Sequence, residues 1–233
     1  MEVFYDGLNV EKYVNSSFVT GFTTNSTLFS TSKFSSYESF FNEHKHCFTS
    51  KPVSFQIWED EVEQAIAQVE AINSLGTSIY VKIPILNSLG GDNSEVISYA
   101  VSRGMQVNLT AIYTMDQICL AANLLRSATA PAIISIFAGS ISDVFVDPAQ
   151  HILYAKQLFR DKPNCRLLWA GCRELYAVER ARMLGCHIIT IPDGVIEKYE
   201  IQYKSLYLLS KERAQKFRND ALSAKLCILS SAT

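Results

Sequence analysis

The chain has 233 residues, of which 48% are hydrophobic, and a formal net charge of −2 with a pI near 6.1. This charge balance provides no basic field for binding nucleic acid, and no apolar stretch approaches the roughly 20 residues that a membrane span needs. The N-terminal sequence lacks the basic and apolar regions of a signal peptide. We therefore expect a cytoplasmic protein whose six cysteines are free thiols.

Short β-rich runs alternate with helical patterns as far as residue 192. Eight strands are predicted, at residues 2–6, 21–25, 52–58, 78–85, 106–113, 132–139, 166–172 and 187–192. Between them, helices are predicted at residues 60–76, 94–104, 114–125, 147–159 and 173–185. Several strands are apolar on both faces, as is typical of parallel strands covered by helices.

This alternation favours a single (β/α)8 barrel, the TIM-barrel fold, over residues 1–197. A doubly wound open sheet is the alternative, but the chain has neither a GxGxxG fingerprint nor a GxxxxGK[ST] phosphate loop. Residues 198–233 are rich in Lys, Glu, Leu and Ala and predict an additional C-terminal helical tail. Because its apolar residues have no place in the barrel repeat, we expect the tail to pack on the barrel or on a neighbouring subunit.

Two pairs of potential metal ligands are adjacent in sequence, His46-Cys47 and Cys186-His187. Neighbouring side chains on a strand point to opposite faces, so on strands neither pair would share an ion. The sequence therefore predicts no metal site.

Polar residues interrupt the predicted strands near their C-terminal ends, where barrel enzymes carry their chemistry. Asn108 and Thr110 are two residues apart and so share one face of their strand, which we expect to be the barrel interior. Taken singly, most of these polar residues could be satisfied core groups or turn formers. The full set is Asp6, Asn25, Gln56, Lys82, Asn108, Thr110, Ser135 and, just after the seventh strand, Arg173.

Lys82 is harder to explain as a core residue, because it lies among Tyr80, Val81 and Ile83. Burying an ammonium costs several kcal/mol unless it is paired or discharged, and a low-dielectric site lowers the pKa of a lysine. A neutral amine attacks carbonyls and forms Schiff bases. Lys82 therefore predicts imine chemistry on a carbonyl substrate, with Asp6 as a candidate for proton transfer through an ordered water.

Seven segments around these residues occur in the order found in a known family. They are FYDG (4–7), GFTTNSTLF (21–29), YVKIP (80–84), VNLTAIYT (107–114), SIFAGSISD (135–143), LLWAGCREL (167–175) and GCHIITIP (185–192). Together they resemble the small transaldolases, the class I Schiff-base aldolases that include fructose-6-phosphate aldolase. The resemblance implies a homo-oligomeric enzyme, a pentamer or decamer, acting on a sugar or sugar phosphate. A three-carbon dihydroxyacetone unit would pass from it to an aldehyde acceptor, without metal or organic cofactor.

The resemblance also gives each member of the polar set a role. Lys82 matches the Schiff-base lysine, and Asp6 matches the acid/base carboxylate. Gln56 stands where transaldolases usually carry glutamate and the fructose-6-phosphate aldolases carry glutamine. The other positions match contacts to substrate, to its phosphate or to the catalytic water: Asn25, Asn108, Thr110, Ser135 and Arg173.

Three positions depart from the family pattern. Ser26 replaces a proline, Ser140 an arginine that binds phosphate, and Gly171 a serine. Losing a guanidinium removes charge-assisted hydrogen bonds worth roughly 1.5–3 kcal/mol each. The departures fit either an aldolase for an atypical or non-phosphorylated sugar or a non-catalytic barrel kept as a binding or scaffold protein. Because Lys82 and Asp6 are retained, we favour an active enzyme.

Overall fold

The structure, a computed structural model, describes residues 1–201 and 203–228. Eight parallel strands form a closed barrel in chain order, and β1 pairs with β8 to complete it. The strands are β1 (Glu2–Asp6), β2 (Val19–Thr23), β3 (Val53–Gln56), β4 (Ile79–Pro84), β5 (Val107–Ile112), β6 (Ala132–Ile136), β7 (Cys165–Trp169) and β8 (Ile188–Ile191). The predicted (β/α)8 barrel is confirmed.

Helices follow every strand except β1, after which the described chain has only a 3-10 turn at Val10–Tyr13. The helices of the barrel are α1 (Ser26–Ser30), α2 (Tyr37–Glu43), α3 (Val62–Ser74), α4 (Ser94–Ser102), α5 (Met115–Leu124), α6 (Ala138–Asp143), α7 (Ala149–Leu158), α8 (Leu175–Leu184) and α9 (Asp193–Ile196). The sequence did not predict α1, α2, α6 or α9. These helices have four to seven residues, too few to show the periodicity by which a helix is recognised.

The second strand was predicted two residues too late. β2 ends at Thr23, so Asn25 lies beyond the strand, at the N-cap of α1. Its Oδ1 accepts a hydrogen bond from the backbone N–H of Leu28 at 2.9 Å, as N-cap asparagines do. α5 begins with a capping box formed by Thr114 and Gln117.

The lower part of the barrel interior is filled by apolar side chains. Phe4, Tyr80 and Ile133 belong to one buried cluster with three apolar residues of β7, β8 and the loop after β7. Each of the three lies two residues before a member of the polar set, and residues two apart on a strand share a face. The apolar layer therefore lies below Asp6, Lys82 and Ser135, nearer the N-terminal ends of the strands.

The chain folds into two compact units, Met1–Ile196 and a second that begins at Glu197. The second unit contains a 3-10 turn at Glu197–Ile201 and the helix α10 (Leu206–Ser223). The position of the tail, on its own barrel or on a neighbour, stays a prediction. Of the helices in the described ranges, none has the length and apolar character of a membrane span.

Candidate active site

The polar side chains inside the barrel meet across β3, β4 and β5. In the strand register Gln56 lies beside Lys82, Lys82 beside Asn108, and Thr110 beside Pro84. Paired strands are about 4.8 Å apart, so these residues form one continuous patch at the C-terminal end of the barrel.

Lys82 lies at the centre of the patch and is only 6% exposed. Its Nζ donates a hydrogen bond to the backbone carbonyl of Thr24 at 3.0 Å. Burial lowers the pKa of the Lys82 ammonium, and the negative charge of Asp6 acts against this by raising it. The result is a larger fraction of neutral amine near neutral pH than an exposed lysine has. This is the form that attacks a carbonyl.

The lowered pKa of Lys82 predicts how stability depends on pH. Between its folded pKa and its unfolded value of about 10.4, the unfolded chain binds more protons at this site. The Lys82 contribution to the free energy of unfolding therefore rises with pH across that window. Lys82→Met lacks this contribution. The free energy of unfolding of the wild type should therefore increase relative to that of Lys82→Met as the pH is raised from about 7 towards 10.

Urea unfolding of both proteins across this range measures the difference, with Lys211→Met, an exposed lysine of α10, as the matched control. Parallel pH profiles for the wild type and Lys82→Met would show that Lys82 titrates like an exposed lysine.

Asp6 is held by a chain of hydroxyl groups. Thr23 Oγ1 donates to Asp6 Oδ1 at 2.7 Å, and the Thr23 and Thr190 hydroxyls are 2.5 Å apart. Both threonines are buried, whereas Asp6 is partly exposed. The carboxylate is therefore fixed from one side and accessible from the barrel mouth, as a proton-transfer group needs to be.

A second hydrogen-bonded chain fixes Asn108. Its Nδ2 donates to Ser54 Oγ at 3.0 Å, and its Oδ1 accepts from Ser135 Oγ at 2.7 Å. All three residues are fully or almost fully buried. The structure thus brings Asn108 and Ser135 of the predicted polar set together, and the two serines fix the orientation of the amide beside Lys82.

Thr110 differs from its neighbours because its buried Oγ1 has no hydrogen-bond partner among the described residues. A buried hydroxyl without a partner costs free energy and calls for an explanation. The register of β5 shifts between Leu109 and Ile112, and Ala111 has φ = 56°, in the left-handed region. Such strain is concentrated at functional sites. The Thr110 hydroxyl is a free hydrogen-bonding group next to the lysine strand.

Gln56 ends β3 and lines a cavity of about 270 Å³ together with Trp58, Pro84, Asn87 and other residues of the loops after β3 and β4. The side chain is partly exposed, while its backbone carbonyl accepts a hydrogen bond from Tyr37 at 2.8 Å. Because Gln56 borders Lys82 in the register, this cavity adjoins the patch around the lysine.

Arg173 lies in the loop between β7 and α8 and is exposed. It forms an ion pair with Asp143 of α6, and its Nη1 lies 3.4 Å from the carbonyl of Gly139. It makes no hydrogen bond to the other predicted site residues within the described part of the chain. Of the eight predicted residues, Arg173 is therefore bound to α6 and not to the lysine patch. Asn25 serves as the N-cap of α1.

Three residues whose hydroxyls position Asp6 and Asn108 were not predicted from the sequence: Thr23, Ser54 and Thr190. The signal was available for Ser54, because it lies two residues before Gln56 and so shares its face. Thr24, whose carbonyl accepts the lysine hydrogen bond, acts through its backbone and leaves no side-chain signal.

His46 and Cys47 do not lie on a strand, so the prediction that excluded a shared ion there rested on a wrong assumption. Both residues lie in a 3-10 turn, Lys45–Phe48. The other pair precedes β8, where His187 Nδ1 accepts a hydrogen bond from the backbone N–H of Leu167 at 2.9 Å and Cys186 is buried.

Comparison with known proteins gives similarities in sequence and in fold. A family profile described as transaldolase/fructose-6-phosphate aldolase matches residues 3–228. A probable transaldolase of Nitrosopumilus maritimus is 25% identical over 203 residues, which cover 85% of this chain and 86% of that protein. Probable transaldolase 2 of Bacillus cereus is 29% identical over 174 residues, 72% of each chain. The barrel also resembles 3-hexulose-6-phosphate synthase from Salmonella typhimurium, with a TM-score of 0.57 and 11% identity over 84% of this chain and 91% of that one.

Proposed function

Since this chain belongs to the transaldolase/fructose-6-phosphate aldolase family, we propose that it is an active enzyme that transfers or cleaves a dihydroxyacetone unit through a Schiff base on Lys82. The observation that carries the proposal is the buried amine of Lys82, whose pKa is lowered by burial. Asp6 would move protons, and Thr110 and Gln56 would bind the reacting groups or the catalytic water. Asn108, oriented by Ser54 and Ser135, would hydrogen-bond a hydroxyl of the substrate.

We further propose a substrate without the usual phosphate, because positive charge is scarce at the barrel mouth. Within Met1–Ile196, the cations in the segments between each strand and its next helix of seven or more residues are Lys12, Lys33 and Arg173. Each forms an ion pair, with Asp193, Glu43 and Asp143 respectively. The same segments carry further carboxylates, among them Glu59, Asp60 and Asp92. A phosphate dianion would therefore meet a net acidic rim, which disfavours its approach.

The three departures from the family differ in their consequences. Ser26 occupies the first position of α1, where proline is favoured but not required, and Asn25 still caps the helix. Gly171 has φ = +72°, a conformation in which a serine would be strained. A Cβ on Gly139 would lie 1.7 Å from the Gly171 carbonyl, so the start of α6 packs backbone against backbone on the loop after β7. Of the three positions, position 140 is therefore the one at which a single substitution can restore the phosphate-binding arginine of the family.

Ser140→Arg should raise kcat/KM for fructose 6-phosphate by tenfold or more relative to the wild type. One restored hydrogen bond to a charged phosphate contributes roughly 1.5–3 kcal/mol, and about 1.4 kcal/mol is a factor of ten. Activity with unphosphorylated fructose should change little, because this sugar has no phosphate group for the new guanidinium to bind. Steady-state kinetics with both sugars measures the effect.

Two controls accompany this comparison. Ser140→Gln supplies length without charge, and Ser142→Arg supplies the same charge two residues along α6. If the wild type already turns over fructose 6-phosphate efficiently and Ser140→Arg leaves kcat/KM unchanged, phosphate is bound by other groups and the proposal of an unphosphorylated substrate fails.

We propose that the protein is a homo-oligomer and that the tail contributes to the subunit contacts. In the single chain the apolar side chains Leu206, Tyr207, Phe217 and Leu222 of α10 are all at least 60% exposed. Their combined apolar area is best buried against another chain. Light scattering at micromolar concentration should give a mass several times that of the monomer. Truncation before Ser205 should lower that mass, and a wild-type monomer would contradict the proposal.

We also propose that the reaction uses no organic cofactor, because the lysine itself provides the electrophilic imine. All six cysteines are free thiols and four are buried, which suits a reducing cytoplasm.

A further inference from the structure

Three ligand-type side chains converge at a place outside the lysine patch. Glu11 lies in the 3-10 turn Val10–Tyr13 between β1 and β2, and His46 and Cys47 lie in the turn Lys45–Phe48 before β3. His46 Nε2 is 3.1 Å from Glu11 Oε2 and 3.5 Å from Cys47 Sγ. The three atoms all lie within 4.8 Å of one another.

These distances resemble the edges of a tetrahedral zinc site. With Zn–S near 2.3 Å and Zn–N and Zn–O near 2.1 Å, tetrahedral angles give S···N and N···O edges of about 3.6 and 3.4 Å. The observed edges are 3.5 and 3.1 Å. His46 Nε2 therefore contacts both of the other ligand atoms, and the three atoms are close enough together to share one ion.

The surroundings suit a metal that joins two segments. Cys47 is fully buried and anchors one side, whereas the side chains of Glu11 and His46 are 49% and 61% exposed, which leaves room for a water as fourth ligand. Lys51 already connects the same two segments, since its Nζ donates to the carbonyls of Tyr13 and Ser16 at 2.8 and 2.7 Å. An ion would therefore meet ligands whose backbones are held near each other.

We propose that Glu11, His46 and Cys47 form a Zn²⁺ site, with water as the fourth ligand. Thiolate, imidazole and carboxylate are the ligands that zinc takes in proteins. The ion would fasten the segment after β1 to the segment before β3, a structural role separate from the aldolase chemistry. This site is independent of the proposed function, and none of its ligands belongs to the lysine patch.

The test is a Co²⁺ titration of the full-length protein in a Cys227→Ser background, which removes the exposed thiol. Cobalt bound to a thiolate gives an intense near-ultraviolet charge-transfer band, and Zn²⁺ should abolish it by displacement. We expect one equivalent to bind, and His46→Ala and Glu11→Gln to weaken binding at least tenfold each. Cys47→Ser should remove the band.

His46→Ala and Glu11→Gln change exposed side chains, so they should fold even if the buried Cys47 variant does not. Zn²⁺ should raise the thermal midpoint of the background protein, as any ligand that binds only the folded state does, and should not raise that of His46→Ala. No charge-transfer band in the background protein, or a band that persists unchanged in both His46→Ala and Glu11→Gln, overturns the proposal.

Discussion

Borohydride reduction in the presence of dihydroxyacetone will leave a covalent adduct on Lys82, seen by peptide mapping and mass spectrometry. The imine forms by attack of the neutral amine on the ketone and loss of water, and reduction fixes the carbon–nitrogen bond. Lys82 is suited to this because burial lowers the pKa of its amine, while exposed lysines remain almost wholly protonated near neutral pH. The adduct should form well below the pH at which ordinary lysines react.

Lys82→Met is the direct control and should abolish both the adduct and all turnover. Lys51 provides a second control within the wild-type protein, because burial lowers the pKa of its ammonium too. Its Nζ donates hydrogen bonds to the carbonyls of Tyr13 and Ser16, outside the lysine patch. Lys51 should therefore carry no adduct. If neither dihydroxyacetone, fructose nor fructose 6-phosphate gives an adduct on Lys82, the chain is better described as a non-catalytic barrel that binds or scaffolds.

The barrel itself could be predicted because strand and helix patterns alternate regularly from β3 onwards. Prediction was poorest between β1 and β3, where no helix was predicted and the structure has two 3-10 turns and two short helices. Asn25 is an example. It was predicted to end the second strand, but β2 ends two residues earlier, at Thr23, and Asn25 is the N-cap of α1. The pair His46-Cys47 was misread in the same region for the same reason.

At the site, the two-residue period of a strand was enough to predict which side chains face the barrel interior. It placed Lys82, Asn108 and Ser135 on one surface. The partners of these residues could not be predicted, because hydrogen bonds such as Lys82 to the Thr24 carbonyl depend on how neighbouring strands are staggered. Strand stagger is a property of the closed barrel. The ion pair of Arg173 with Asp143 likewise depends on two loops that meet only in the folded chain.

Asp6→Asn and Thr110→Ala should reduce turnover by about 10²–10⁴ while changing stability far less. Asparagine has the shape of aspartate and can still accept the hydrogen bond from Thr23, so the fold loses little. Removing the carboxylate also removes the charge that raises the pKa of Lys82. The Lys82 adduct should therefore still form in Asp6→Asn, and at lower pH than in the wild type, even though proton transfer fails. Steady-state kinetics and borohydride trapping separate the two steps.

Thr110 permits an even sharper comparison, because its Oγ1 has no partner among the described residues. Thr110→Val keeps the side-chain shape and removes only the hydroxyl, so it relieves an unpaired buried group worth about 1–3 kcal/mol. We expect Thr110→Val to be at least as stable to urea as the wild type, and as impaired in turnover as Thr110→Ala. A Thr110→Val protein with normal turnover would show that the hydroxyl has no part in the reaction. Marked destabilisation of Asp6→Asn with unchanged specific activity would give the carboxylate a structural role instead.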